Sequence, residues 1–165
     1  MVSGKTFLLA GLLALVAGGL AVRYWPGDER AIRNQLALIE EVGSKELAEP
    51  PVEALVKATR LAALCSDPCR LIVASVRHAG DYPRKQIQDR IVMVRSWYTQ
   101  VRISLHDITL VLAENNTAVV RGTIRLRGQG SGEAIAEAQE FRAELGKIDG
   151  QWLITAIEFI EVLEQ

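Results

Sequence analysis

From Val101 to the end of the chain, apolar residues alternate with polar ones at a period of two, and no other feature limits the fold as much. Successive side chains of a strand point to opposite faces, so this run describes an antiparallel sheet with one apolar side. The alternation changes parity once: Val101, Ile103 and Leu105 fall on odd positions, whereas Ile108, Leu110 and Leu112 fall on even ones. An uncompensated slip of one residue would turn the core face outward, so a β-bulge is predicted at His106-Asp107. Asn115-Asn116 predicts a tight turn, and Asp149-Gly150 a two-residue hairpin. Between these turns Ala118, Val120, Ile124 and Leu126 share one face, with Arg121, Thr123, Arg125 and Arg127 on the other. After a glycine-rich loop at Gly128 to Gly132, Phe141, Ala143 and Leu145 face inward and Glu140, Arg142 and Glu144 outward. The outward charges read as a solvated ladder in which Arg121 and Arg125 pair with Glu140 or Glu144.

The last strand, from Trp152 to about Val162, is apolar on both sides. Leu153, Ile157 and Phe159, opposite Trp152 and Ile154, need a cover, and a second copy of the sheet or a partner is expected to supply it.

Before Val101 the period is helical. Ile32, Leu36 and Ile39 mark a first helix over 28–43, with Asp28 and Glu29 placed where a helix N-terminus favours negative charge. Pro51 opens a second helix, with Leu55, Ala58 and Ala62 on its apolar stripe, and Pro83 precedes a third, marked by Ile87, Ile91, Val94 and Tyr98. A strand, "CRLIVASVR", is predicted over 69–77 between them. With 165 residues there is room for one core of ordinary size. Its 19 basic and 20 acidic side chains are well mixed, which excludes the cationic footprint of a nucleic-acid binder.

Phe7 to Val22 carries no charge, follows Lys5, and is followed by Arg23, Tyr24 and Trp25. It reads as a single-pass anchor whose aromatic pair sits at the headgroup level, the alternative being a signal sequence cleaved near Gly19-Leu20-Ala21. The organisation is therefore an anchor or signal over 1–25 and one domain over 28–163. In a bacterium this puts the domain in the periplasm, tethered to the inner membrane or released after cleavage. In that compartment Cys65 and Cys69, which flank Ser66-Asp67-Pro68, read as a disulfide joining the second helix to the first strand.

Helix, helix, strand, helix and then a four-stranded meander resembles the nuclear transport factor 2-like superfamily, also called SnoaL-like or cystatin-like. The residues that carry the resemblance are "ERAIRNQLALIEE", "CRLIVASV" and the closing "DGQWLITAIEF". It implies an α+β cone in which three helices pack into the concave face of a curved, mainly antiparallel sheet. The other reading of the same order is an open sheet with helices on one face. Enzymes of the superfamily hold acid–base groups inside the cone, where burial shifts their pKa values toward neutrality. The candidates here are His106 and Asp107 at the bulge, with Tyr98 as a hydrogen-bond donor; a pocket near Tyr82, Trp97, Tyr98 and His106 is expected. The first strand, Leu71 to Val76, carries no carboxylate where steroid-isomerase relatives place a base. No phosphate-loop, dinucleotide or metalloprotease motif occurs, and no metal or cofactor is expected. Two functions follow from the sequence. One is a membrane-tethered, non-catalytic module acting through a homodimer or an envelope protein partner, similar in layout to inner-membrane assembly proteins of type IV secretion systems. The other is a binder of a small ligand, or an isomerase- or dehydratase-like enzyme, with its pocket in the cone.

Overall fold

The computed structural model describes residues 27–130 and 134–160. The anchor or signal expected over 1–25 lies outside them, and no described helix is long and apolar enough to cross a membrane. Three α-helices, α1 (27–43), α2 (Pro51–Ala63) and α3 (Arg84–Ser96), pack with a six-stranded sheet. The strands are β1 (Cys65–Val73), β2 (His78–Tyr82), β3 (Tyr98–Ala113), β4 (Thr117–Gly130), β5 (Ala134–Ile148) and β6 (Gln151–Ile160). Their order is β2-β1-β6-β5-β4-β3, antiparallel except where β1 runs parallel to β6. The sheet is curved, open and mixed, and the core lies between it and the helices.

The alternation of apolar residues determines which face is buried. Ala118, Val120, Phe141, Ala143 and Leu145 are buried as expected, packed with Ile32 of α1, Trp152 and Ile154. At the parity slip, His106 pairs with Thr123 and Thr109 with Arg121, so Asp107 and Ile108 together oppose Gly122. Asp107 takes a left-handed φ of 55°, which absorbs the extra residue and returns Ile108, Leu110 and Leu112 to the core. A side chain at Gly122 would meet the His106 carbonyl oxygen at 2.9 Å and Ile108 Cδ1 at 2.5 Å. Both tight turns form where expected, with Asn115, Asn116, Asp149 and Gly150 all at positive φ.

A second bulge lies in β6. Leu145 pairs with Ile154 and Glu144 with Ala156, so Thr155 is extra, and its hydroxyl donates to the Glu144 carbonyl at 3.1 Å. Trp152 and Ile154 therefore share the concave face with Ile157 and Phe159, whose cover comes from within the chain.

The edge strand β3 is protected by α1. Val101 exchanges both backbone hydrogen bonds with Lys45; the Ile103 amide donates to Ser44 Oγ at 3.0 Å and the Leu105 amide to Glu40 Oε1 at 2.6 Å. Three amides that an edge would present to another chain are thus occupied. At the other end of α1, Asp28 accepts from Lys147 Nζ and Trp152 Nε1, fixing the helix on the β5–β6 hairpin.

Two expectations are corrected. The strand predicted over 69–77 begins at Cys65 and ends at Val73; the chain then turns through Ala74–Val76, with Arg77 left-handed, into β2, a segment whose "HAGDY" carries little strand propensity of its own. The outward ladder also differs: Arg121 faces Arg142 rather than a carboxylate, Arg125 faces Ala138, and Glu144 pairs with Arg142.

Gly122→Ala is expected to lower unfolding free energy by about 1–3 kcal/mol, because the bulge leaves no room for a Cβ. Urea denaturation measures this, and an unchanged midpoint would show that the bulge does not need the glycine.

A candidate ligand cavity in the cone

The third helix presents Ile87, Arg90, Ile91 and Val94 toward the sheet, at the three- and four-residue spacing that places side chains on one helix face. Opposite them lie Leu71 of β1, Val101 and Ile103 of β3, Leu126 of β4, and Ile157 and Phe159 of β6. Between these walls is a cavity of about 420 Å³, a size suited to a small molecule. Its wall is almost entirely apolar: Tyr82, Tyr98, Cys65, Cys69, Arg70, Arg90 and Arg95 also line it, but with very little polar surface turned into the space. Among the described residues lining it there is no histidine and no carboxylate.

Arg95 is 4% exposed and organises one end of the cavity. Its Nη1 donates to the carbonyls of Val42 (3.1 Å) and Gly43 (2.8 Å), and its Nη2 to that of Ser44 (3.2 Å) and to both carboxylate oxygens of Glu49 (2.6 and 2.8 Å). These carbonyls belong to the end of α1, where a helix has no intrahelical donors left to offer. Lys57 reaches the same carboxylate at 2.8 Å. Burial alone would push the Glu49 carboxyl up, but the hydrogen bonds and charges of Arg95 and Lys57 outweigh it and hold the carboxyl below its ordinary range. The Arg95 Nε–H finds no acceptor among the described residues.

Arg90 differs from Arg95 in being exposed. It lies 4.6 Å over the Tyr82 ring and forms no ion pair among the described residues. Tyr82 is itself buried, with its hydroxyl hydrogen-bonded to His78. An uncompensated cation therefore sits at the rim of an apolar chamber.

The predicted residues divide around this cavity. Tyr82 and Tyr98 line it; Trp97 is 58% exposed and does not, and His106 lies in a cleft with Ser104, Arg102, Arg125 and Arg127. Asp107 lines another cleft, with Arg121 and Glu140, so the structure does not bring His106, Asp107 and Tyr98 together. Of the residues read as an interface, Ile157 and Phe159 line the cavity, while Leu153 flanks a groove beside Asp28 and Trp152.

The expected disulfide is absent: Cys65 and Cys69 are free thiols, both buried in the cavity wall. Their side chains hydrogen-bond to each other, which lowers the Cys65 pKa, burial opposing this and the charge of Arg84 adding to it; the same contact and burial push Cys69 up. The corner is held instead by Arg84, whose guanidinium donates to the Cys65 carbonyl at 2.9 and 3.2 Å and whose amide donates to Asp67 at 3.1 Å. Sequence reasoning missed Arg95. Its signal was its position, since Ile87, Ile91 and Arg95 recur every four residues and place a guanidinium at the end of an apolar seam.

No family model and no curated protein sequence matches the chain. Solved structures do. The fold is similar to a nuclear transport factor 2-like protein with a cystatin-like fold from Novosphingobium aromaticivorans, at 16% identity over 93% of this chain and 92% of that one, with a TM-score of 0.68. It is similar to a protein assigned as a scytalone dehydratase from the same bacterium (15% identity, 82% and 84% covered, TM-score 0.65) and to LinA (12%, 81% and 85%, 0.62). At these identities the likeness establishes the fold, which is the nuclear transport factor 2-like, cystatin-like cone.

Because Glu49 titrates lower folded than unfolded, its contribution is present above pH 4.5 and is lost as the pH falls toward the depressed value. Glu49→Gln should cost about 3 kcal/mol by leaving Arg95 without its counter-charge, and should flatten the acid limb of a stability-versus-pH curve. An equally steep acid limb in the variant would contradict this.

Proposed function

We propose that the domain binds a small, mainly apolar molecule with one anionic end, and performs no acid–base chemistry on it. The observation that carries this reading is the cavity of about 420 Å³, whose described lining contains neither imidazole nor carboxylate. A general acid or base must reach its proton within hydrogen-bonding distance; of the three residues read as catalytic, His106 and Asp107 line clefts elsewhere, and Tyr98, which does line the cavity, has no imidazole or carboxylate beside it in the described lining. Arg90 supplies the preference for an anionic end, since its charge has no carboxylate to meet. The dehydratase assignment of one similar structure belongs to that protein and does not supply the missing groups.

Residues 7–22 tether this domain to a bacterial inner membrane, with the cone in the periplasm. Support for the tether is the uncharged run between Lys5 and Arg23-Tyr24-Trp25. The cysteines no longer bear on location, because they are free thiols. Ligand binding replaces protein contact as the leading function, because Ile157 and Phe159 face the chain's own cavity.

Decanoate should raise the melting temperature of the chain and slow alkylation of Cys65, while decanol of the same length does so more weakly. Ile91→Trp, which puts an indole into the cavity, should weaken decanoate binding by about ten-fold or more at little cost in stability. Binding unaffected by Ile91→Trp would place the ligand elsewhere.

A further inference from the structure

The outer face of the sheet carries a second feature. Arg102 and Arg127 are directly opposed in the β3–β4 register, and Arg125 stands opposite Ser104. With His106 these residues line a cleft of about 190 Å³. All three arginines are exposed, and among the described residues none forms an ion pair. The neighbouring strand offers no counter-charge, since β5 places Ala136 beside Arg127 and Ala138 beside Arg125. The outward carboxylate one row on, Glu140, faces Thr123 and lines a different cleft with Asp107 and Arg121. Like charges directly opposite each other destabilise an antiparallel pair. Three cations without a carboxylate partner among the described residues thus gather around a Ser104 hydroxyl 3.0 Å from His106 Nε2.

We propose that this cleft binds a phosphate-class oxyanion. A guanidinium presents a planar fork of donors that matches phosphate oxygens two at a time. A dianionic phosphate monoester balances most of the charge of three arginines, whereas one carboxylate would leave two of them unmet. The Ser104 hydroxyl and the His106 ring add hydrogen-bonding groups at the floor. The phosphate comes either from a soluble monoester or from a lipid whose headgroup is itself a phosphate monoester, as in phosphatidic acid, and both present the same group to the cleft. None of this depends on the cavity, because the two sites share no lining residue.

The test is titration of inorganic phosphate into the full chain at low ionic strength, with vesicles of phosphatidylcholine alone or mixed with phosphatidic acid as a second arm. The difference between the two vesicles cancels any contribution of a tether. The double variant Arg102→Gln/Arg127→Gln should weaken phosphate binding by about ten-fold or more, while Arg121→Gln, outside the cleft, changes it by less than about two-fold. Arg102→Gln alone should give an intermediate loss, which keeps the test open if the double variant does not fold. If the source is a headgroup, the chain binds phosphatidic acid vesicles in excess, and both the double variant and added phosphate remove that excess. Binding of neither probe, or an equal loss in Arg121→Gln, overturns the proposal.

Discussion

The buried guanidinium of Arg95 is the point at which the helical layer is joined. It projects from the last turn of α3, takes up the carbonyls that end α1, and binds the Glu49 carboxylate that precedes α2. Lys45, one residue beyond those carbonyls, donates to the Arg95 and Tyr98 carbonyls and shares two backbone hydrogen bonds with Val101. One charge thus fixes where three helices sit against an edge strand. A buried charge is costly unless it is paired and hydrogen-bonded, and here Glu49 pairs with both Arg95 and Lys57 while Lys57 also meets Glu53, so two cations face two carboxylates. Because the helices are held at this end, α3 can stand off the sheet elsewhere and leave a chamber beneath it.

The two bulges supply the other half of that chamber. A sheet with strict alternation through β6 would place Ile157 and Phe159 on the outside; the extra residue at Thr155 returns them to the concave face, as Asp107 does for Ile108 in β3. The first bulge was legible in the sequence because odd-numbered aliphatics give way to even-numbered ones within a single strand. The second was not. β6 is apolar at consecutive positions, so a parity change leaves no mark on the pattern, and the same residues read equally well as a strand with two apolar faces. That ambiguity is why Ile157 and Phe159 read as an outer face in the sequence although they line the cone.

Helices and turns were legible for a similar reason: Pro51, Pro83, the two asparagines and Asp149-Gly150 each restrict the backbone locally. The strand β2 has no such signature and is held by pairing with β1. Of the site, the two tyrosines could be placed because they flank α3, but His106 could not, since a strand residue beside a bulge can face either way until the register is known. The cysteine pair shows the limit of spacing arguments. A disulfide was read from two cysteines flanking Ser66-Asp67-Pro68, yet both are buried free thiols in a corner already held by Arg84.

Ligand binding requires the chamber to persist as an open site rather than a space that closes in solution. A crystal structure of the chain purified from cells tests this most directly. An open cone with elongated density between α3 and β6, its polar end at Arg90, is the expected result. A cone in which α3 has packed down onto Ile157 and Phe159, leaving no space between them, would contradict it.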